Sequence, residues 1–193
     1  MTRSSDPSSR ATVAVAVVAM VAAALTLACG RKSHSRTSYT PPPLPAGFVE
    51  QTGTGWRIAV PSNWKEAAQK GPAVFAVTDP QPVDDFHAYA SVFTEPFAGE
   101  SVQYAKASEA GLRKEPRATV ESSRDDVIDG DPTLILESRW APAPSSTVSY
   151  RTMQAELSSH GIGYVATCAV AASAFERYRS TCESIVRSFA VQR

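Results

Sequence analysis

The sequence predicts an α+β fold, a mostly antiparallel sheet covered by helices, on three observations. Between residues 48 and 193, runs of alternating or unbroken apolar residues recur, each bounded by Gly, Pro or Asp. Helical spacing is confined to residues 100–114 and 173–189. The order is strands, a helix, four more strands and a helix, which suits an α+β layer better than alternating βα units.

Taken in order, Gly53-Thr54-Gly55 leads into an alternating strand at 56–60 that Pro61 ends. Residues 62–70 read as a short helical or turn segment, with Ser62 as its N-cap. Strands at 73–78 and 86–93 flank an Asp/Pro-rich loop at 79–85, and His87 falls in the second of them. The helix at 100–114 is weakly amphipathic through Val102, Ala105 and Leu112, and must stop before Pro116. Strands at 117–128 and 133–140 join across Asp129-Gly130-Asp131-Pro132. Strands at 147–157 and 162–170 join across 158–161, where His160 sits in a tight turn. The last helix, 173–189, carries an apolar stripe of Phe175, Tyr178, Cys182, Ile185 and Phe189. Ser173 and Glu176 have capping-box spacing, and Glu183 and Arg187 are placed to pair four apart.

The remaining quarter of the chain has a different character. Residues 1–28 begin with Arg3 and Arg10 and continue as an uncharged apolar run from 11 to 28, the pattern of a secretory signal peptide. Leu25-Thr26-Leu27-Ala28-Cys29 resembles the lipobox of bacterial lipoproteins, with Thr26 where the motif favours Leu. The resemblance implies that Cys29 is acylated on sulfur with palmitate-type chains and becomes the new amino terminus. The alternatives are an uncleaved apolar anchor and cleavage without lipid. Residues 29–47 then form a tether, basic at Arg31, Lys32 and Arg36 and proline-rich at 41–45. Read as a ligand for an aromatic groove, Pro41-Pro42-Pro43-Leu44-Pro45 is the lesser alternative to a spacer. This places residues 48–193, a single globular domain, in the bacterial cell envelope, lipid-anchored and facing the periplasm or the extracellular side.

Of three cysteines, Cys29 is assigned to lipid, leaving Cys168 and Cys182. Cys168 shares a strand face with Tyr164, Ala166 and Val170, and Cys182 lies on the apolar stripe of the last helix. In an oxidising compartment the pair reads as a structural disulfide. Reduced core thiols or a redox pair are the alternatives, the latter lacking Cys-x-x-Cys spacing.

The stretch from Gly55 to Trp64, G-W-R-I-A-V-P-S-N-W, resembles the opening of PsbP-like domains. Val127-Ile128-Asp129-Gly130-Asp131-Pro132 is similar to their central hairpin, and Ile162-Gly163-Tyr164-Val165-Ala166-Thr167 to a later strand. Phe175-Glu176 and Ile185-Val186-Arg187-Ser188-Phe189 are similar to their closing helix. The resemblance covers residues 53–190 and implies an α-β-α sandwich, shared with bacterial lipoproteins of the DcrB and LpqN type and with a Ran-binding yeast import factor. It implies assembly factors and small binding modules, and brings no catalytic or metal residue onto this chain.

The other constellations are weak. Asp125, Asp126, Asp129 and Asp131 fail the calcium-loop pattern at Val127 and Leu136, so a solvated hairpin turn is expected there. Ser62-Asn63-Trp64-Lys65 matches Ser-x-x-Lys without the motifs that accompany it in penicillin-binding enzymes. His34, His87 and His160 stand at no metal-ligand spacing. With 19 basic and 19 acidic residues, a nucleic-acid footprint is missing. Trp56 and Trp64 are expected in the core, and Trp140, before Ala-Pro-Ala-Pro, at a half-exposed rim as the candidate contact residue. The expectation is a non-enzymatic envelope lipoprotein without metal or cofactor. It would be held to the membrane by its lipid and bind an envelope protein as an accessory or assembly factor. The alternative is a small-ligand or cell-wall-binding module.

Overall fold

Two antiparallel sheets and two helices make up the computed structural model, which describes residues 43–68, 73–142 and 147–192. The signal peptide, Cys29 and the tether as far as residue 42 lie outside the described residues. The smaller sheet contains β1 (Phe48–Gly53), β2 (Trp56–Pro61) and β10 (Ala190–Val191) in the order β1-β2-β10. The larger has seven strands: β3 (Lys65–Glu66), β4 (Ala73–Thr78), β5 (Tyr89–Pro96), β6 (Ala118–Ile128), β7 (Asp131–Trp140), β8 (Tyr150–Ser159) and β9 (Ile162–Ala171). Their order is β3-β4-β5-β9-β8-β7-β6, and every pairing is antiparallel.

The period-two alternation of β7 and β8 decides what each helix covers. Leu134, Leu136 and Trp140 face α1 (Ser101–Leu112) and cluster with its Ala105 and Leu112. Ile135, Met153, Ala155 and Leu157 face the other way, into a core shared with Trp56, Ile58 and Val60 of β2 and with α2 (Phe175–Arg187). The expected stripe on α2 is the buried one, with Phe175, Cys182, Ile185 and Phe189 all in this core and Tyr178 packed at its margin. The α+β sandwich read from the sequence is therefore the observed architecture.

Phe175 opens α2 between two guanidinium groups, Arg151 at 3.7 Å and Arg179 at 4.7 Å from its ring centre. Those arginines bridge to Glu137 of β7, Arg179 at 2.7 Å and Arg151 at 3.4 Å, and Arg151 also meets Glu121 of β6 at 2.6 Å. Glu176 completes the network from the helix itself, 2.9 Å from Arg179. Several charges thus share one cluster that fastens the helix to three strands, a stronger device than isolated exposed pairs.

Several local expectations give way. Of the helical or turn segment expected at 62–70, the described residues 62–68 take the turn form followed by the short β3, because Trp64 folds inward after Pro61 and its amide bonds the Pro61 carbonyl. The capping box sits on α1, where Glu100 and Gln103 exchange bonds. Ser173 occupies a 3-10 turn at Ala172–Ala174 and donates to Asp84, leaving the α2 N-terminus without a side-chain cap. Glu183 and Arg187 turn toward β6, pairing with Arg124 at 3.0 Å and Asp126 at 2.7 Å. His87 precedes β5, its Nδ1 2.7 Å from the Asp79 carbonyl oxygen. β1 is not evident from the sequence, since its half-buried positions, Phe48, Gln51 and Gly53, make no alternating apolar pattern.

Where the Tyr104 ring of α1 reaches β9, Gly163 supplies the clearance. A Cβ there would lie 2.6 Å from the Tyr104 ring and 3.1 Å from the Phe97 Cβ. Gly163→Ala is expected to destabilise the fold by about 1–3 kcal/mol through overpacking, read as a lower urea midpoint. An unchanged midpoint would show that α1 is free to ride up from the sheet.

Candidate functional site

An open cleft of about 410 Å³ lies where the two sheets meet, lined by Gly53, Thr54, Trp56, Val74, Thr94, Ile162 and Tyr164. The turn between β1 and β2 shapes one wall. Gly55 holds φ at +82°, and a Cβ at this position would come within 2.5 Å of the Tyr164 hydroxyl oxygen, so the turn can lie against that phenol only as glycine. Trp56 is 4% exposed and Tyr164 5%, and they form the floor, with Phe75 tilted against the Trp56 ring at 5.2 Å. At the rim, Val74 is 39% and Ile162 40% exposed. Strand register brings the other wall together, because Thr94 pairs with Tyr164 and Pro96 with Ile162.

Among the described residues, the lining carries no carboxylate, amine, guanidinium or imidazole; its polar atoms are backbone groups, the Trp56 indole N–H and the hydroxyls of Thr54, Thr94 and Tyr164. Such a surface accepts uncharged apolar groups and penalises ions, which would be left unpaired on desolvation. It offers no acid–base pair and no activated nucleophile of its own. The cleft also has a definite place in the domain. The Gly47 carbonyl accepts from the Ser62 amide beside Pro61, so the chain from residue 43 joins the domain at the opposite end of β2 from Trp56.

On the α1 side of the larger sheet, a second group of polar side chains is buried. Glu156 of β8 is fully buried, and its Oε1 accepts from Gln154 Nε2 at 2.7 Å while Oε2 has no partner. Burial pushes its carboxyl up to about 7, the Gln154 hydrogen bond and the nearby Ser108 hydroxyl oppose the shift, and the negative charge of Glu109 adds to it. The Tyr104 hydroxyl donates to Glu95 at 2.7 Å, and burial followed by that bond raises its pKa.

The residues singled out from sequence are scattered. Cys168 and Cys182 are joined by a disulfide, with Cα atoms 5.3 Å apart and both side chains in the core. Trp56 and Trp64 are buried as expected, and Trp56 also floors the cleft. Trp140 is not at a rim: it is 8% exposed, stacked on Tyr150 at 5.8 Å, with its indole N–H donating to Thr152. The alternation of β7 turns it under α1 instead of out to the rim. In the acidic hairpin, Asp126 pairs with Arg187, Asp129 accepts from the Val191 amide, and Asp131 accepts from Ser101. Among the described residues, no group of three or more His, Cys, Asp or Glu could hold a metal ion. Sequence inspection missed the cleft, because its seven residues come from four separate stretches. The available signal was an exposed valine and an exposed isoleucine on strands.

No protein-family profile and no curated protein matches the chain. Solved structures do. The chain is similar to cyanobacterial PsbP (CyanoP) from Synechocystis sp. PCC 6803, with TM-score 0.53, 15% identity, and coverage of 77% of this chain and 94% of that one. It is similar to LpqN of Mycobacterium tuberculosis, described as involved in cell envelope biogenesis, with TM-score 0.55, 11% identity, and coverage of 76% and 90%. A protein of unknown function from Pseudomonas aeruginosa, a putative regulator by its description, gives TM-score 0.52 at 11% identity, with coverage of 77% and 99%. Identities this low speak to fold alone, and the fold is PsbP-like.

Proposed function

We propose that this chain is a non-enzymatic accessory protein of the bacterial cell envelope, anchored by lipid on Cys29, that holds another envelope protein through the cleft. The observation that carries the reading is an uncharged, half-open cleft with Val74 and Ile162 exposed at its rim. Exposed apolar surface beside a preformed concavity favours an apolar side chain of a partner, inserted over Trp56 and Tyr164. Its position supports the same reading. The chain joins β1 at one end of the β1–β2 hairpin and the cleft opens at the other, roughly 20 Å away for a six-residue strand. A tether fixed to a membrane would therefore leave the cleft directed away from it. The association of LpqN with envelope biogenesis supports the compartment. A second reading, a small uncharged envelope ligand, is favoured by the cleft volume, which falls in the range of small-molecule pockets.

The test places a photo-crosslinking amino acid at Thr54, which is exposed and lines the cleft, in the full-length protein in cells. One dominant protein adduct is expected, lost when Val74→Asp and Ile162→Asp are combined in a chain that remains folded. A folded, membrane-retained protein giving no protein adduct would overturn the accessory reading and leave the small ligand. Mass spectrometry of the intact mature chain reads acylation at Cys29 separately.

A further inference from the structure

α1 is seated on the sheet largely through polar groups. Of its five buried residues, Ser101, Tyr104 and Ser108 carry hydroxyls, and only Ala105 and Leu112 are purely apolar. The helix touches β6, β7 and β8, and Glu156 lies beneath it on β8 with one carboxylate oxygen unpaired. The groups around that carboxylate can be named from each side. From α1 come Ser108, the Tyr104 phenol and the Glu109 carboxylate. From β8 itself comes Gln154, whose amide nitrogen also lies 3.4 Å from Ser108 Oγ. Beside it, β9 contributes Val165, paired with Glu156, and β7 contributes Thr133, whose hydroxyl donates to the Glu156 carbonyl. β5 adds Glu95, held by Tyr104. Among the described residues no basic side chain forms an ion pair with Glu156.

We propose that α1 is a proton-linked flap, closed on the sheet while Glu156 is protonated and loosened when Glu156 ionises. Protonated, the carboxyl is neutral and its remaining hydrogen is the only added requirement. Ionised, it is a buried charge beside the Glu109 carboxylate with no cation paired to it among the described residues, and it must gain water or a counter-charge. β8 cannot yield, since it is paired along its length to β9 and flanked by β7. α1 can, because polar contacts to the sheet are exchangeable for water at little cost whereas apolar contacts are not. The elevated pKa of Glu156 sets the transition near neutrality. The movement has a route to the cleft. Tyr104 rests on Gly163, which stands in β9 between the cleft residues Ile162 and Tyr164 on the opposite face of the sheet. The flap itself does not depend on what the cleft binds.

Hydrogen exchange of the full chain at about pH 5.5 and about pH 8.5, corrected for intrinsic rates, tests this with α2 as internal reference. Protection of α1 relative to α2 is expected to fall on the order of ten-fold or more across that window, following the difference between the closed and the water-exposed pKa. In Glu156→Gln the fall should vanish. Should that variant fold poorly, Glu109→Gln, on the same helix, should shift the wild-type transition to lower pH, because the Glu109 charge is one of the causes that hold the Glu156 proton. Equal α1 protection at both pH values, or a fall that persists unchanged in Glu156→Gln, overturns the proposal.

Discussion

Replacing Glu156 by Gln is expected to raise stability by about 3 kcal/mol at pH 8 and above, and to change it little near pH 4. The folded chain holds the Glu156 proton more tightly than the unfolded chain does, with a pKa of about 7 against 4.5, chiefly because burial disfavours the charge. The stability this proton provides is complete below the unfolded value of 4.5 and is lost progressively as pH rises through about 7. Glutamine keeps the shape, cannot ionise, and can still bond Gln154. Urea denaturation of both proteins from about pH 4 to about pH 9 gives the comparison. The two stability curves should separate as pH rises; parallel curves throughout would show that water or another group already compensates the charge.

Removing the disulfide should have an effect of comparable size and opposite sign. Cys168 and Cys182 close a short loop, fourteen positions apart in sequence, from the centre of β9 to the middle of α2. In the chain-entropy account such a link contributes about 3 kcal/mol, a large share of the 5–15 kcal/mol typical of a domain. Cys168→Ala combined with Cys182→Ala is the cleaner test, because serines would bury hydroxyls in an apolar core. The urea midpoint should drop in proportion, and wild-type protein under reductant should lose stability only after passage through urea, since both sulfurs are fully buried. A double variant as stable as the parent would mean that packing of Phe175, Ile185 and Phe189 alone holds the helix.

Much of this architecture is legible in the amino acids because local chemistry and tertiary placement agree. Asp129-Gly130 and His160-Gly161 take positive φ in two tight hairpins, as turn chemistry requires. The α2 stripe has nowhere to go but a core. Legibility fails where long-range partners overrule a local pattern. Trp140 looked like a rim residue from the prolines that follow it, yet its register with Leu134 and Leu136 turns it inward. Glu183 and Arg187 satisfy the helical pairing rule but pair instead with Arg124 and Asp126 of β6, whose side chains reach them from the sheet. The acidic hairpin attracted notice through composition and proves to be a set of structural acceptors. The cleft depends on β1, whose sequence is nearly featureless, and on a valine and an isoleucine ordinary for strands. No periodicity brings those segments together; only the register of β5 with β9 and the β1–β2 turn does.

The outer edge of β6 has a consequence for the protein's colloidal behaviour. Eleven residues long and paired only to β7 among the described residues, this strand ends the sheet with a row of main-chain groups that could template another chain. Glu121, Arg124, Asp125 and Asp126 interrupt it with charges of both signs, and the irregularity between Val120 and Ser122 bends its register. Two of those charges are drawn toward α2 by Glu183 and Arg187. The same ion pairs that hold α2 to β6 therefore also place charges along an open sheet edge, a feature that disfavours edge-to-edge strand pairing between copies.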